Sequence, residues 1–179
     1  MYRKCVTEIS VQHQRQVAQS LLELMGKMSY EDITVTQLCQ AAGVTRRVFY
    51  HLFSNKTGAL QALVDHKILG IEGYCPEIPD DALRFFRYWK EQKPFLDALW
   101  ENGMSGMLQE RMINSVLTED YDVLYWLRSH GWNKNSQEVI IFGLSGLMGL
   151  LYSWYYSGFR QEPEELAALV EQILQPYYQ

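Results

Sequence analysis

Between Thr34 and Lys56 the chain reads TVTQLCQAAGVTRRVFYHLFSNK, and no other stretch limits the possible folds so sharply. Thr34, followed three positions later by Gln37, is a capping-box pattern that opens a short helix. Gly43 ends that helix, since a residue without Cβ enters positive φ at little cost. Thr45 then caps a second short helix, RRVFYHLF. Two short helices joined by a glycine turn predict a helix-turn-helix, in which the first helix braces the second across the major groove of DNA. Leu38, Ala42, Val44, Val48 and Leu52 or Phe53 fall inward, and Ala41 and Ala42 are small enough to let the two helices approach. Arg46, Arg47, Tyr50 and His51 are left on the outer face.

Those outer residue types suit nucleic acid. Arginine carries a rigid fork of donors that matches phosphate oxygens or guanine O6 and N7, while Tyr50 and His51 each have a donor for phosphate. Backbone N–H groups at Thr45, and at the start of the next helix near Lys56, are further seats for anions. The charge distribution agrees. Residues 1–67 hold eight Lys/Arg against five Asp/Glu, whereas residues 68–179 hold eight against sixteen, so a weakly basic head precedes an acidic body. An acidic body repels phosphate and limits non-specific sticking.

The remainder reads as helical. Val17, Leu21, Leu24 and Met28 recur at helical spacing and predict a first helix over about 11–28. KTGALQALVDHKILGIEGY supplies a fourth, with Leu60, Leu63 and Val64 inward. CPEIPDD, residues 75–81, interrupts the periodicity with two prolines and three acids. Beyond it lie ALRFFRYWKEQKPFLDALWENG, a helix pair divided near Pro94, then a helix beginning near Gly106, a long apolar segment from Ser136, and a last helix capped at Glu162 or Pro163. Strand alternation is sustained nowhere. The expectation is an all-α chain of about nine helices, with a head over 1–70 and a helical regulatory and dimerisation body over 80–179.

Several function classes fit poorly. The apolar run from Val139 to Phe159 has no formal charge but contains serines, tyrosines and glycines suited to a buried helix, so no membrane span is expected. MYRKCVTEIS has no apolar core and is no signal peptide. The three cysteines, Cys5, Cys39 and Cys75, lack ligand or disulfide spacing and fit a reducing cytoplasm. His13, His51, His66 and His130 have no metal-ligand companions at suitable spacing, GLSGLMG lacks the lysine of a phosphate loop, and ENGMSG is no nucleophile elbow. Neither catalysis nor a metal or cofactor is expected.

ITVTQLCQAAGVTRRVFYHLFSNKTGALQAL resembles the DNA-binding head of TetR-family transcriptional regulators, aligning without a gap through the AAGV turn, the FYHLF recognition helix and the NK that opens the next helix. The likeness extends over residues 11–70. It returns more loosely in IIFGLSGLMGLLYSWYYSGFRQEPEELAALV, which is similar to the last two helices of a subgroup with short regulatory domains. By this resemblance Tyr50, His51 and Lys56 hold phosphates, while Thr36, Thr45, Arg46 and Arg47 meet phosphate or base edges. Arg47 departs from the family, where a small residue is usual.

The resemblance also implies a homodimer on a palindromic operator, paired through the last two helices. Gly143, Gly146 and Gly149, with Leu150, Leu169 and Ile173, are the residues expected at that interface; taken alone, the glycines fit an intrachain contact equally well. Large soft side chains crowd the segment from Phe85 to Trp132. Phe85, Phe86, Trp89, Trp100, Met104 and Tyr125 are therefore candidates to line a pocket for a small hydrophobic effector, with ordinary helical core as the competing reading. Action through a protein partner, without a small effector, is the alternative function.

Overall fold

The computed structural model describes residues 2–3, 7–71, 73–75, 77, 81–118 and 137–174. Among them are nine α-helices: α1 Glu8–Met25, α2 Val35–Ala42, α3 Arg46–Leu52, α4 Lys56–Leu69, α5 Asp81–Glu91, α6 Lys93–Glu101, α7 Ser105–Leu117, α8 Gln137–Tyr156 and α9 Pro163–Leu174. A single 3-10 turn, Tyr30–Asp32, joins α1 to α2. The all-α expectation holds.

Local chemistry explains several helix ends. The Thr7 side chain accepts from Ser10 N–H at the start of α1, and Gly26 closes its end. The helix thus stops at Met25, which is buried, and Met28, expected within the helix, lies beyond it and exposed. The Thr34/Gln37 capping box forms in both directions: Gln37 N–H donates to Thr34 Oγ1 at 3.2 Å, and Thr34 N–H donates to Gln37 Oε1 at 2.8 Å. Gly43 takes φ +65°, and its N–H returns to the carbonyls of Cys39 and Gln40. Pro163 occupies the first position of α9, where its missing N–H costs nothing, and Glu162 N–H donates to Glu165 Oε2 at 3.0 Å.

The chain forms two compact units, and they are not consecutive in sequence. One comprises Met1–Lys67 with Pro94–Met107; the other comprises Ile68–Lys93 with Leu108–Gln179. Residues 94–107 thus pack in the same unit as residues 1–67. One tie is Asn102 at the end of α6, whose Oδ1 accepts Tyr30 N–H at 2.6 Å while its Nδ2 donates to Ala98 O at 2.8 Å.

In the first unit α1 packs on α2 and α3. Val17, Leu21, Leu38, Phe49 and Leu60 are wholly buried. Phe49 rather than Val48 is the main inward residue of α3. Val44 and Val48 are half-buried, whereas Leu52 and Phe53 both enter the core. The α4 helix is buried on several sides, through Leu60, Leu63 and Val64 as expected and also through Ala59, Ala62 and Asp65.

In the second unit α5 packs on α9. Phe86 meets Trp154 edge-on with centroids 5.6 Å apart, and Trp154 Nε1 donates to Gln161 O at 3.0 Å, so a buried indole satisfies its N–H while holding the loop before α9. On the exposed rim, Lys90 pairs with Glu162 at 2.9 Å and Arg87 with Glu164. Among the described residues no helix is long and apolar enough to cross a membrane.

Candidate nucleic-acid interface

On the α2–α3 pair, Thr36, Arg46 and Tyr50 meet on an exposed surface. Thr45 spends its hydroxyl as the cap of α3, accepting from Val48 N–H at 3.2 Å. Arg46 folds back over this surface: its Nη1 donates to Thr36 Oγ1 at 3.2 Å, and its Cζ lies 5.8 Å from the Tyr50 ring centroid. The guanidinium is thus steered by a hydroxyl on α2 and an aromatic face on α3. Arg47 and His51 are exposed, and Tyr50 retains 49% exposure while its ring edge packs on buried Phe49.

Lys56, at the first position of α4, behaves differently. Its ammonium donates to Tyr30 O and to Glu31 O, the latter at 3.2 Å, and lies over the Tyr30 ring. An ammonium has three donors, so two intramolecular bonds leave one for an outside anion. Asn55 caps the same helix end, its Oδ1 accepting Gly58 N–H at 2.9 Å. Burial raises the pKa of the Tyr30 phenol, with a smaller opposing effect from Thr57, so the ring beneath Lys56 stays neutral. Tyr30 and Asn102 were not legible as part of this arrangement. Their partners lie 26 and 72 positions away in the chain, and no periodicity marks such pairs.

The seven sequence-derived residues Thr36, Thr45, Arg46, Arg47, Tyr50, His51 and Lys56 therefore lie on α2, at the cap of α3, on α3 and at the start of α4. A face of exposed cations and hydroxyls on a short helix, backed by a glycine-turned brace, can meet phosphates and base edges. Residues 20–63 match the family model described as "Bacterial regulatory proteins, tetR family". They form a tetR-family DNA-binding domain. The protein is a DNA-binding transcriptional regulator. Among solved structures, "Dihydroxyacetone kinase operon activator DhaS" is similar, with a TM-score of 0.60 and 16% identity over 92% of this chain and 94% of that one. At that identity the likeness speaks for the fold. No curated protein matches the chain.

Phe85, Phe86 and Trp89 are buried in α5 of the second unit, whereas Trp100 and Met104 belong to the first unit, and Tyr125 lies outside the described residues. An open cleft of about 430 Å³ in the second unit is lined by Tyr74, Cys75, Arg87, Lys90 and Glu91, none of them among the expected pocket residues. In α8, Gly146 and Gly149 are exposed and Gly143 and Leu150 half-buried; in α9, Leu169 is 38% and Ile173 52% exposed. A Cβ built on Gly146 or Gly149 meets nothing within 4 Å. Among the described residues no three His, Cys, Asp or Glu side chains gather as a metal site.

Proposed function

We infer that the protein is a homodimeric regulator, of the subgroup with a short C-terminal regulatory domain, which binds a palindromic operator in the cytoplasm and represses from it. The observation that carries this reading is the exposed set Arg46, Arg47, Tyr50 and His51 on α3. Tyr50, His51 and Lys56 hold phosphates, and Arg46 and Arg47 meet phosphates or base edges. Dimerisation rests on α8 and α9, where large apolar side chains stand in water: Phe142 is 74%, Tyr156 62% and Ile173 52% exposed. Open space over Gly146 and Gly149 favours an approaching partner helix over an intrachain contact. A two-fold dimer on DNA reads two half-sites about one helical turn, or a multiple of it, apart.

In this reading a small hydrophobic effector bound by the body regulates DNA binding. A second reading, action through a protein partner, is favoured by the packing of the body: Phe86 and Trp89 have no exposed surface, Phe86 lies edge-on to Trp154, and Trp89 lies edge-on to Tyr88. Side chains so packed serve as core. The similar solved structure is also named for activation of an operon, which makes the direction of control part of the test.

The deciding experiment compares a duplex selected by the protein from a randomised pool with a scrambled one. Arg46→Ala and Arg47→Ala are expected to cost roughly 1–3 kcal/mol more on the selected duplex if either arginine is bidentate to guanine. Equal losses on both duplexes would remove base readout from α3. A thermal-shift screen beside a pull-down from lysate separates effector from partner, and a reporter driven by the selected site gives the sign of regulation.

A further inference from the structure

Tyr2 and Arg3 are tied to the end of the recognition helix. Tyr2 forms an antiparallel bridge with Phe53, and Arg3 N–H donates to Leu52 O, the last residue of α3, at 3.1 Å. Gln14, itself buried, donates from Nε2 to Arg3 O at 3.1 Å. The Tyr2 hydroxyl donates to Asp65, which is 3% exposed on α4. Backbone and side-chain bonds from α1, α3 and α4 thus fix two residues that lie outside the matched 20–63 domain.

Side chains alternate along an extended segment. Tyr2 turns inward to Asp65, which sends Arg3 to the opposite side, and Arg3 is exposed. The α3 helix has seven residues, about 10 Å at its rise per residue, against a major groove about 12 Å wide. A residue bonded beside the end of such a helix lies close to the phosphate ridge that borders the groove. An arginine at such a place carries the charge and the fork of donors that suit a phosphate.

We propose that Tyr2 and Arg3 form an arm of the DNA-binding face in which Arg3 contacts a backbone phosphate and the Tyr2–Asp65 bond sets its place. This rests on the reading that α3 enters the major groove. The contact is indifferent to base sequence and adds affinity on any duplex.

The test measures the dependence of binding on salt, using the full chain and a scrambled duplex of about two helical turns. Each phosphate contact contributes about 0.9 to the slope of log K against log salt. Arg3→Ala is expected to make the slope shallower by about 0.9 per bound protomer, while Arg3→Lys retains it. Tyr2→Phe, which keeps the ring and loses the hydroxyl, moves the slope in the same direction as Arg3→Ala. Merely structural roles for these residues would shift the melting temperature and leave the slope alone. An unchanged slope in Arg3→Ala, with the unaltered chain binding normally, overturns the arm and leaves the α3 reading standing. Absence of salt-dependent binding by the unaltered chain overturns both.

Discussion

The Lys56 ammonium stands 4.1 Å from the centroid of the Tyr30 ring and donates to the Tyr30 and Glu31 carbonyls. The lysine is ordered before any DNA arrives. Rotamer freedom that an exposed lysine would lose on binding is already lost on folding, which favours affinity. Asn102 extends the same arrangement, since its carboxamide accepts the N–H of the residue whose carbonyl holds Lys56.

Lys56→Met, which keeps the apolar stem and removes the charge, is expected to weaken binding to selected and scrambled duplexes alike. It should also lower fold stability by about 0.5–2 kcal/mol, the range for a cation held over an aromatic face. Fluorescence anisotropy and urea unfolding on the same variant read the two effects. Losses confined to the selected duplex would assign Lys56 to base readout.

Gly43→Ala isolates a backbone cost. The residue has φ +65°, yet a Cβ there meets nothing within 4 Å, so any destabilisation comes from the left-handed conformation and not from a clash. A loss of about 1–2 kcal/mol is expected for alanine. Asparagine, which tolerates this region, should recover part of it. Urea midpoints for the two variants give the comparison.

Acid should weaken the first unit through His66. Burial, reinforced by the Arg15 charge and opposed by Asp65, holds the His66 pKa below its ordinary 6.5. The unfolded chain therefore binds the proton more readily. The stabilising contribution is complete above 6.5 and is lost as pH falls from there through the depressed folded value. His66→Gln is expected to flatten the dependence of the urea midpoint on pH between about 7 and 5. A variant as pH-sensitive as the parent would assign the effect to other groups.

Gly146→Leu separates interface from core. Space over this glycine means that the isolated chain has no clash to relieve, and replacing a helical glycine with a good helix former should stabilise it by up to about 1 kcal/mol. The dimer should instead be weakened by roughly 1–3 kcal/mol, as for an overfilled contact. Sedimentation velocity gives the assembly state and thermal unfolding the stability. Dimers of unaltered affinity would place the interface on another face.

Local chemistry made the head legible. Thr34, Gln37, Gly43 and Thr45 each act within four residues, and the structure realises every one as a cap or turn. Burial was legible where periodicity was strong, as at Leu60, Leu63 and Val64, and failed where a helix was too short to define a period. In α3, with only seven residues, Phe49 took the inward place assigned to Val48. The outer surface of α3 was readable because arginine and histidine have few reasons to be buried. Contacts such as Asn102 with Tyr30, or Tyr2 with Asp65, depend on tertiary docking and leave no local trace.

The non-consecutive make-up of the first unit limits how the protein can be cut. Its chain leaves after Lys67 and returns at Pro94, bringing Phe95 to within 6.0 Å of Lys67 Nζ and Asn102 to Tyr30. A fragment ending at residue 70 would lack the carboxamide that accepts Tyr30 N–H, and with it a support for the turn that holds Lys56. Chimeras meant to graft this DNA reader onto a foreign sensor need two splice points, or a junction beyond Met107 that carries α5 of the second unit along.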